Sequence, residues 1–344
     1  MNKKIFFVLF LFFILFINIR AESKIFDELD SVIVKGIHLV QDEKFDQAIA
    51  EFQKIIDFYP NDPIGYFFIA ATYQTLIDNY RNENYKSKFE NYIDTAIEKG
   101  NEKLKTGKNT SELCFYSGGA YGYRGIYRSF RGNWWGAFRD ALKAKPLLEK
   151  ALELDSTLYD AYYGLGAYHY WGSIKSKLLS WLPFIGDERE KGIKELILAV
   201  EKGKYTSLEA KYSLLRVYNE EKDYYKVLEL SQDLKSAGED DPFRLWMTAQ
   251  AYMGLKRWDE ALETYNRLLN FFKESHYYDL AAEVECRYWM AEIFFYKKEY
   301  IKSIEQLGFA LAHQENVKNN DYAKPIIEQA KDLKKKIRKR LSSK

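Results

Sequence analysis

The sequence predicts an all-α solenoid of about seven helix pairs that ends in a C-terminal cap helix. The first observation is a spacing that recurs along the chain and is clearest in residues 242–275: Ala249 is followed after three residues by Tyr252 and after twelve by Ala261. The second is that the pattern returns with a period near 34 residues, which indicates stacked supersecondary units. The third is an aromatic content of 17% with only six prolines, which suits long helices packed through large side chains.

The N-terminal 21 residues have the pattern of a secretory signal. Lys3 and Lys4 precede an unbroken apolar run from Ile5 to Ile17. Signal-peptide cores span about 7–15 residues, whereas a membrane-spanning helix needs about 20. We therefore predict a signal peptide over 1–21, cleaved after Ala21, and export to the periplasm or cell envelope without lipidation, because no cysteine lies near the site. The alternative is an uncleaved N-terminal membrane anchor.

The predicted repeat array covers residues 22–320. In each pair a small residue of the first helix meets a small or apolar residue of the second, which lets the two helices approach closely. The predicted pairs are Gly36 with Ala48, Ala70 with Phe89, Gly118 with Ala144, Gly166 with Gly192, Leu214 with Val227, Ala249 with Ala261, and Ala291 with Ser303. Residues 321–344 follow as an amphipathic, then basic, cap helix and tail.

Over Ile25–Val317 this pattern resembles the tetratricopeptide repeat, most strongly in the sixth unit. Gly192 and Val227 depart from it, since each stands where the repeat has Ala. The resemblance implies a right-handed superhelix whose first helices line a concave groove and which binds protein or peptide partners. Residues 164–196 are also similar in texture to the inclusion-body clearance family of repeat proteins, which would imply a non-enzymatic, membrane-associated adaptor.

Two breaks in the spacing distinguish this chain. The step between the paired small residues is 12 at 249→261 but 26 at both 118→144 and 166→192. We therefore expect fourteen-residue insertions in the turns of the third and fourth pairs, at about 124–140 and 172–188. Because such turns lie along one edge of a solenoid, the two insertions should be neighbours.

The first insertion is rich in arginine and aromatic residues. Guanidinium groups beside aromatic rings can hold carboxylates, phosphates or flat ligands through paired hydrogen bonds and cation–π contacts. The alternative is that the arginines form one face of an extended first helix and neutralise the acidic body. The candidate ligand-binding residues here are Arg124, Arg128, Arg131, Trp134 and Trp135.

The second insertion is too apolar for a solvated loop. It could lie in a membrane interface or dock a partner, or it could fold back over the solenoid edge. The docking candidates are Leu178, Trp181, Leu182 and Phe184.

A third set of candidates comes from the fifth position of each first helix, which should face the groove. Five of these seven residues are aromatic, which suits an extended peptide or an apolar ligand, although packing within the core explains them equally well. In chain order they are Ile33, Phe67, Phe115, Tyr163, Lys211, Trp246 and Tyr288.

Charge and chemistry narrow the function further. Residues 22–330 carry 41 basic and 49 acidic side chains, or −8, whereas the last fourteen residues carry +7. This is not the uniformly basic face of a nucleic-acid binder, so no nucleic acid is expected; the basic end is interpreted as a polar cap or an anionic-lipid contact. Cys114 and Cys286 are expected to be buried free thiols, and the four scattered histidines predict no metal site and no cofactor.

The sequence thus predicts a non-catalytic, protein-binding scaffold of the cell envelope that acts through the aromatic groove and the insertion edge. The alternatives are a module that binds a small anionic or aromatic ligand and a membrane-peripheral adaptor. The identity of the protein or peptide partner does not follow from the sequence.

Overall fold

A computed structural model describes residues 28–176, 186–237 and 241–342. These residues form fifteen α-helices and one short 3₁₀ helix (Glu83–Tyr85), with no strand among them. The helices are α1 (residues 28–41), α2 (Phe45–Phe58), α3 (Pro63–Tyr80), α4 (Lys86–Leu104), α5 (Ser111–Phe130), α6 (Trp134–Leu154), α7 (Ala161–Ser176), α8 (Arg189–Lys202), α9 (Ser207–Glu220), α10 (Tyr224–Ala237), α11 (Pro242–Gly254), α12 (Trp258–Glu274), α13 (Leu280–Tyr296), α14 (Tyr300–Ala312) and α15 (Ala323–Ser342).

Successive helices pack as antiparallel pairs, α1 with α2 through α13 with α14, and α15 packs on α13 and α14. The all-α solenoid of seven pairs and a cap helix is therefore confirmed. The small residues predicted to bring the helices together are buried at their contacts; Ala48, Ala249 and Ala261 are fully inaccessible. The polar cap residues also fit the sequence: Asp62 and Asp241 accept hydrogen bonds from the first turns of α3 and α11, each of which begins with proline.

Most pairs share one turn geometry. The second residue after the first helix adopts a left-handed conformation, with φ between 58° and 73°, and the following residue donates its N–H to a carbonyl five residues back. The second helix begins one residue later, mostly with an aromatic side chain. The residues at the left-handed position of this turn are Glu43, Gly132, Lys222, Lys256 and Lys298.

This turn shows that the predicted fourteen-residue insertion at 124–140 is wrong. Only residues 131–133 connect α5 to α6, and the extra residues instead lengthen the helices to 20 and 21 residues, against 13 and 17 in α11 and α12. A Cβ atom on Gly118 would lie 3.1 Å from the Ala144 carbonyl oxygen, and one on Gly125 would lie 3.4 Å from that of Ala137. The 12-residue spacing of the other turns is thus restored at 125→137, and the connection lies seven residues, or about two helical turns, farther along each helix than Gly118 and Ala144 imply.

The second predicted insertion, 172–188, falls partly within α7, which continues to Ser176. Residues 177–185 lie outside the described residues, as do 1–27 with the predicted signal peptide. No helix in the described ranges is long and apolar enough to cross a membrane.

The array winds tightly enough for its sixth and seventh pairs to contact the first and second. The α12–α13 connection carries Tyr277, whose ring packs 5.1 Å from that of Phe45 and whose hydroxyl donates a 3.2 Å hydrogen bond to Asp46 on α2. Asn82, after α3, donates a 3.1 Å bond to the Tyr277 carbonyl oxygen. One hydrophobic cluster therefore combines side chains of α2 and α3 with those of α11, α12 and α13.

Candidate binding surfaces

The aromatic residues predicted to line a groove are packed into the protein interior. Phe67, Phe115, Trp246 and Tyr288 are at most 7% exposed. Phe67 makes edge and tilted contacts with Tyr123 and Tyr116, and Trp246 packs against Tyr265 at 5.7 Å. Phe67 and Tyr288 are buried by neighbouring helices, whereas Trp246 also contacts Arg81 of the second pair. The interpretation as core therefore describes these four residues, and they do not form an open groove.

Tyr163 and Lys211, from the same predicted set, are half-buried, and Ile33 is buried. Burial raises the pKa of Tyr163 to about 12, and its hydroxyl is hydrogen-bonded to that of Tyr123. Tyr163 thus lies in a polar interior between α5, α7 and α9, and Ile33 belongs to an apolar core cluster.

Arg81 makes the central contact that closes the array. Its Nε donates a 2.7 Å hydrogen bond to Glu285 on α13, and its guanidinium lies 4.9 Å from the ring centroids of both Trp246 and Tyr322. Both partners of the ion pair are largely shielded, with 15% and 13% of their side-chain areas exposed. Arg81 thus joins the second pair to the sixth and seventh and to the start of α15.

Acidic groups near this junction have unusual protonation behaviour. Burial raises the pKa of Glu43 to about 7, although the Tyr80 hydroxyl and the Asn79 amide both donate hydrogen bonds to it. Burial likewise raises the pKa of Glu209 to about 7, and its Oε2 atom has no hydrogen-bond partner. Asp241, which lies near Glu43 and Tyr212, also has a raised pKa because it is buried. Burial thus disfavours the charged forms of three carboxyl groups in this interior.

The three arginines predicted to bind a ligand are used within the protein. Arg124 forms two hydrogen bonds to the buried Asp140 carboxylate, at 2.8 and 3.1 Å, and Arg128 forms a third at 2.7 Å. Arg131 pairs with Glu83 at 2.8 Å and with Asp321 at 3.2 Å. The alternative interpretation, in which the arginines form one face of an extended helix and neutralise acidic groups, is therefore the one that the structure supports.

The two tryptophans predicted beside these arginines are exposed at the tip of the lengthened hairpin. Trp134 is 51% exposed and Trp135 is 77% exposed. The same end of the hairpin also exposes Phe130, Phe138 and Leu142, at 54%, 44% and 52%. We call the exposed residues of Phe130–Lys143 the hairpin tip.

A second exposed surface follows the turns of the last three pairs, and the sequence analysis did not identify it. Lys222, Lys256 and Lys298 occupy the left-handed position of successive turns, are exposed, and form no ion pair within the described ranges. Around them Tyr225 is 74% exposed and Tyr296 is 51% exposed. We call these five residues, with Trp258 and Ile301, the turn edge.

Stacking joins the turn edge across pairs. Trp258 of the sixth pair stacks on Tyr296 of the seventh at 5.0 Å with an interplanar angle of 8°, and Ile301 beside them is 65% exposed. The signal for this surface is in the sequence, where Lys, one polar residue and an aromatic residue recur at 222–224, 256–258 and 298–300. It is found only when the turns, and not the first helices, are aligned.

The apolar candidates Leu178, Trp181, Leu182 and Phe184 lie outside the described residues. His169 is 2% exposed, and its ring nitrogens lie 2.5 Å from a Glu195 carboxylate oxygen and 3.1 Å from the Lys191 amine, so its polar atoms are satisfied. Cys114 and Cys286 are buried free thiols whose pKa values are raised by burial. Within the described ranges, no three metal-ligating side chains of the His, Cys, Asp or Glu type come together.

Comparison with known proteins agrees with the repeat geometry. A profile described as "Tetratricopeptide repeat" matches residues 245–275, the unit in which the spacing is clearest. The TPR repeat-containing protein YpiA of Bacillus subtilis (strain 168) is 33% identical over 87 residues. That match covers 25% of this chain and 20% of the relative, so the chain spans about a fifth of the relative's length.

Two solved structures align with most of the chain at low sequence identity. The C-terminal part of a TPR repeat-containing protein from Cytophaga hutchinsonii aligns over 81% of this chain and 94% of its own, with 16% identity and a TM-score of 0.40. A Rap protein complexed with Competence and Sporulation Factor aligns over 91% of this chain and 99% of its own, with 15% identity and a TM-score of 0.48. The chain is therefore similar to tetratricopeptide-repeat proteins, most clearly over residues 245–275.

Proposed function

We propose that the protein is a non-catalytic scaffold that binds an extended, acidic segment of a protein partner along the turn edge. The observation that carries the proposal is one exposed lysine at the same position of three successive turns, with exposed or stacked aromatic residues beside each lysine. A periodic surface of this kind suits an extended chain, because neighbouring pairs present equivalent groups at regular intervals. Exposed aromatic rings supply contact area, and unpaired lysines supply attraction for carboxylates.

The location of this scaffold is also a proposal. The pattern of Met1 to Ala21 supports export to the cell envelope, with an N-terminal membrane anchor as the alternative. Fractionation of cells, with mass determination of the purified chain, distinguishes them: export with cleavage gives a chain that begins at Glu22.

The test of the binding surface is site-specific photo-crosslinking in cells. A photoreactive residue at Tyr225 or Tyr296 should give a discrete crosslinked species, whereas the same residue at Glu274, at the far end of α12, should not. The triple variant Lys222→Glu, Lys256→Glu, Lys298→Glu should abolish that species while leaving the thermal unfolding midpoint unchanged, since the three side chains are exposed. Equal crosslinking at Glu274, or an unchanged species in the triple variant, would refute the proposal.

A further inference from the structure

The hairpin tip differs from the rest of the surface in polarity and charge. Its turn is packed on the array, since Arg131 pairs with Glu83 at 2.8 Å and with Asp321 at 3.2 Å, whereas the outer face of α6 is exposed. Soluble proteins usually place such exposed apolar groups against a partner or a membrane.

One face of α6 carries the apolar groups. Trp135, Phe138 and Leu142 recur at helical spacing and are each at least 44% exposed. Arg139 and Lys143 lie beside them, are exposed, and make no ion pair within the described part of the chain. An amphipathic face of aromatic, leucine and basic side chains is typical of helices that lie in a membrane interface.

The charge pattern favours an anionic surface. Residues 129–148 contain a single acidic side chain, Asp140, and it is buried between Arg124 and Arg128. The exposed charge of the tip is therefore wholly positive, on a body that carries −8 over residues 22–330. An anionic bilayer would attract this end of the molecule and repel the remainder, which fixes an orientation as well as an affinity.

The exposed face of α6 favours a bilayer over a folded protein. Trp135, Phe138 and Leu142 form an apolar row on a convex helix surface, which can enter the interfacial layer, about 5–10 Å deep, without a matching cavity in a partner.

We propose that the α5–α6 hairpin tip docks the protein on an anionic lipid bilayer, with Trp135, Phe138 and Leu142 in the interface and Arg139 and Lys143 on the headgroups. This surface is separate from the turn edge and does not depend on the function proposed for it. The tip residues on α6 touch the lipid, and the buried Arg124–Asp140–Arg128 cluster holds the hairpin rigid behind them.

The test uses the full chain with a fluorophore at the tip, so that binding through any other segment does not register. Phe138→Cys is labelled with an environment-sensitive dye; the native Cys114 and Cys286 are buried and unreactive by comparison. Vesicles of phosphatidylcholine with about 30% phosphatidylglycerol, which have a strongly anionic surface, should shift the emission of the dye to the blue. A dye at Glu274→Cys, on the opposite edge, should not respond.

Variants separate the contributions. Arg139→Gln with Lys143→Gln should weaken the tip response to anionic vesicles about 30-fold and leave the weak response to neutral vesicles unchanged. Trp135→Ser should weaken both responses about tenfold or more, while circular dichroism and the unfolding midpoint stay at wild-type values because the side chain is 77% exposed. The Lys222, Lys256, Lys298 triple variant should respond like wild type, so the two proposals fail separately.

Three results would overturn the inference. The tip dye could stay silent while the protein sediments with vesicles, which would place membrane contact elsewhere. The dye could respond to an acidic polypeptide without lipid, which would make the tip a protein-binding site. It could respond to protein concentration alone, with Trp135→Ser abolishing self-association, which would make the tip an interface between two copies of this chain.

Discussion

Closure of the array by Arg81 leads to a quantitative prediction about cooperativity. Replacing Arg81 by Ala leaves Glu285 shielded and without its cation, and breaking a buried ion pair in this way costs about 3–5 kcal/mol. The loss of the cation–π contacts that Arg81 makes with Trp246 and Tyr322 adds about 0.5–2 kcal/mol. Because these contributions overlap, we expect the free energy of unfolding to fall by about 4 kcal/mol.

A double-mutant cycle separates this contact from general damage. Glu285→Ala alone should cost about 3–5 kcal/mol, because it leaves Arg81 shielded and unpaired. The double variant should be no less stable than the worse single variant, giving an interaction energy of about 3–4 kcal/mol. Denaturant unfolding followed by circular dichroism supplies the energies.

Small-angle scattering tests the geometric side of the same prediction. In a solenoid each pair contacts mainly its neighbours, so losing the closing contact should let the first and last pairs separate without unfolding them. The radius of gyration of Arg81→Ala should therefore increase at unchanged helix content. A loss below about 1 kcal/mol, or strictly additive single variants, would show that closure contributes nothing to stability.

The remaining predictions concern pH, packing and exposure. Burial raises the pKa of Glu209 to about 7 in the folded chain. The stability that the protonated group contributes is therefore fully present below about pH 4.5 and is lost as the pH rises through 7. In thermal scans Glu209→Gln should raise the unfolding midpoint at pH 8 and leave it nearly unchanged at pH 5. Gly192→Ala should lower the free energy of unfolding by about 1–3 kcal/mol, because the new Cβ atom would lie 2.6 Å from a backbone nitrogen. The matched variant Gly122→Ala, whose Cβ atom would meet open space, should be neutral or stabilising in urea unfolding. By the same assay Asp140→Ala should lower the free energy of unfolding by about 3–5 kcal/mol, and Trp135→Ser by less than about 0.5 kcal/mol. Equal effects of the two variants would contradict the assignment of Asp140 to a buried cluster.

The number and order of the helix pairs could be predicted because small residues at helix crossings leave a direct trace in the sequence. Gly36 with Ala48 and Ala249 with Ala261 must be small for two backbones to approach, whatever the rest of the chain does. Burial of the predicted groove residues could not be predicted in the same way. For Trp246 it depends on how far the array winds, which is set by contacts such as that of Arg81 with Glu285, about 200 residues apart.

The misplaced insertion has a different cause, which lies in helix geometry itself. Seven residues are almost two α-helical turns, so Gly118 and Gly125 lie on one face of α5, and Ala137 and Ala144 lie on one face of α6. Both pairs of small residues satisfy the packing rule, and the 26-residue step between the outer pair conceals the 12-residue step between the inner pair. The turn residues remove the ambiguity, because Gly132 with φ of 73° is followed, after one residue, by the aromatic Trp134, as in the other turns.

This degeneracy also explains how the hairpin tip can exist without weakening the fold. Adding seven residues to each helix preserves the phase of both apolar faces, so the lengthened helices continue to pack through Gly125 and Ala137 as they do through Gly118 and Ala144. An insertion of another length would rotate the added segment away from its partner and leave a mobile loop. The chain has thereby extended a rigid pair by two turns and placed Trp135 at its end, which is the arrangement that an interfacial anchor requires, since aromatic groups held on a rigid helix lose little conformational entropy on docking.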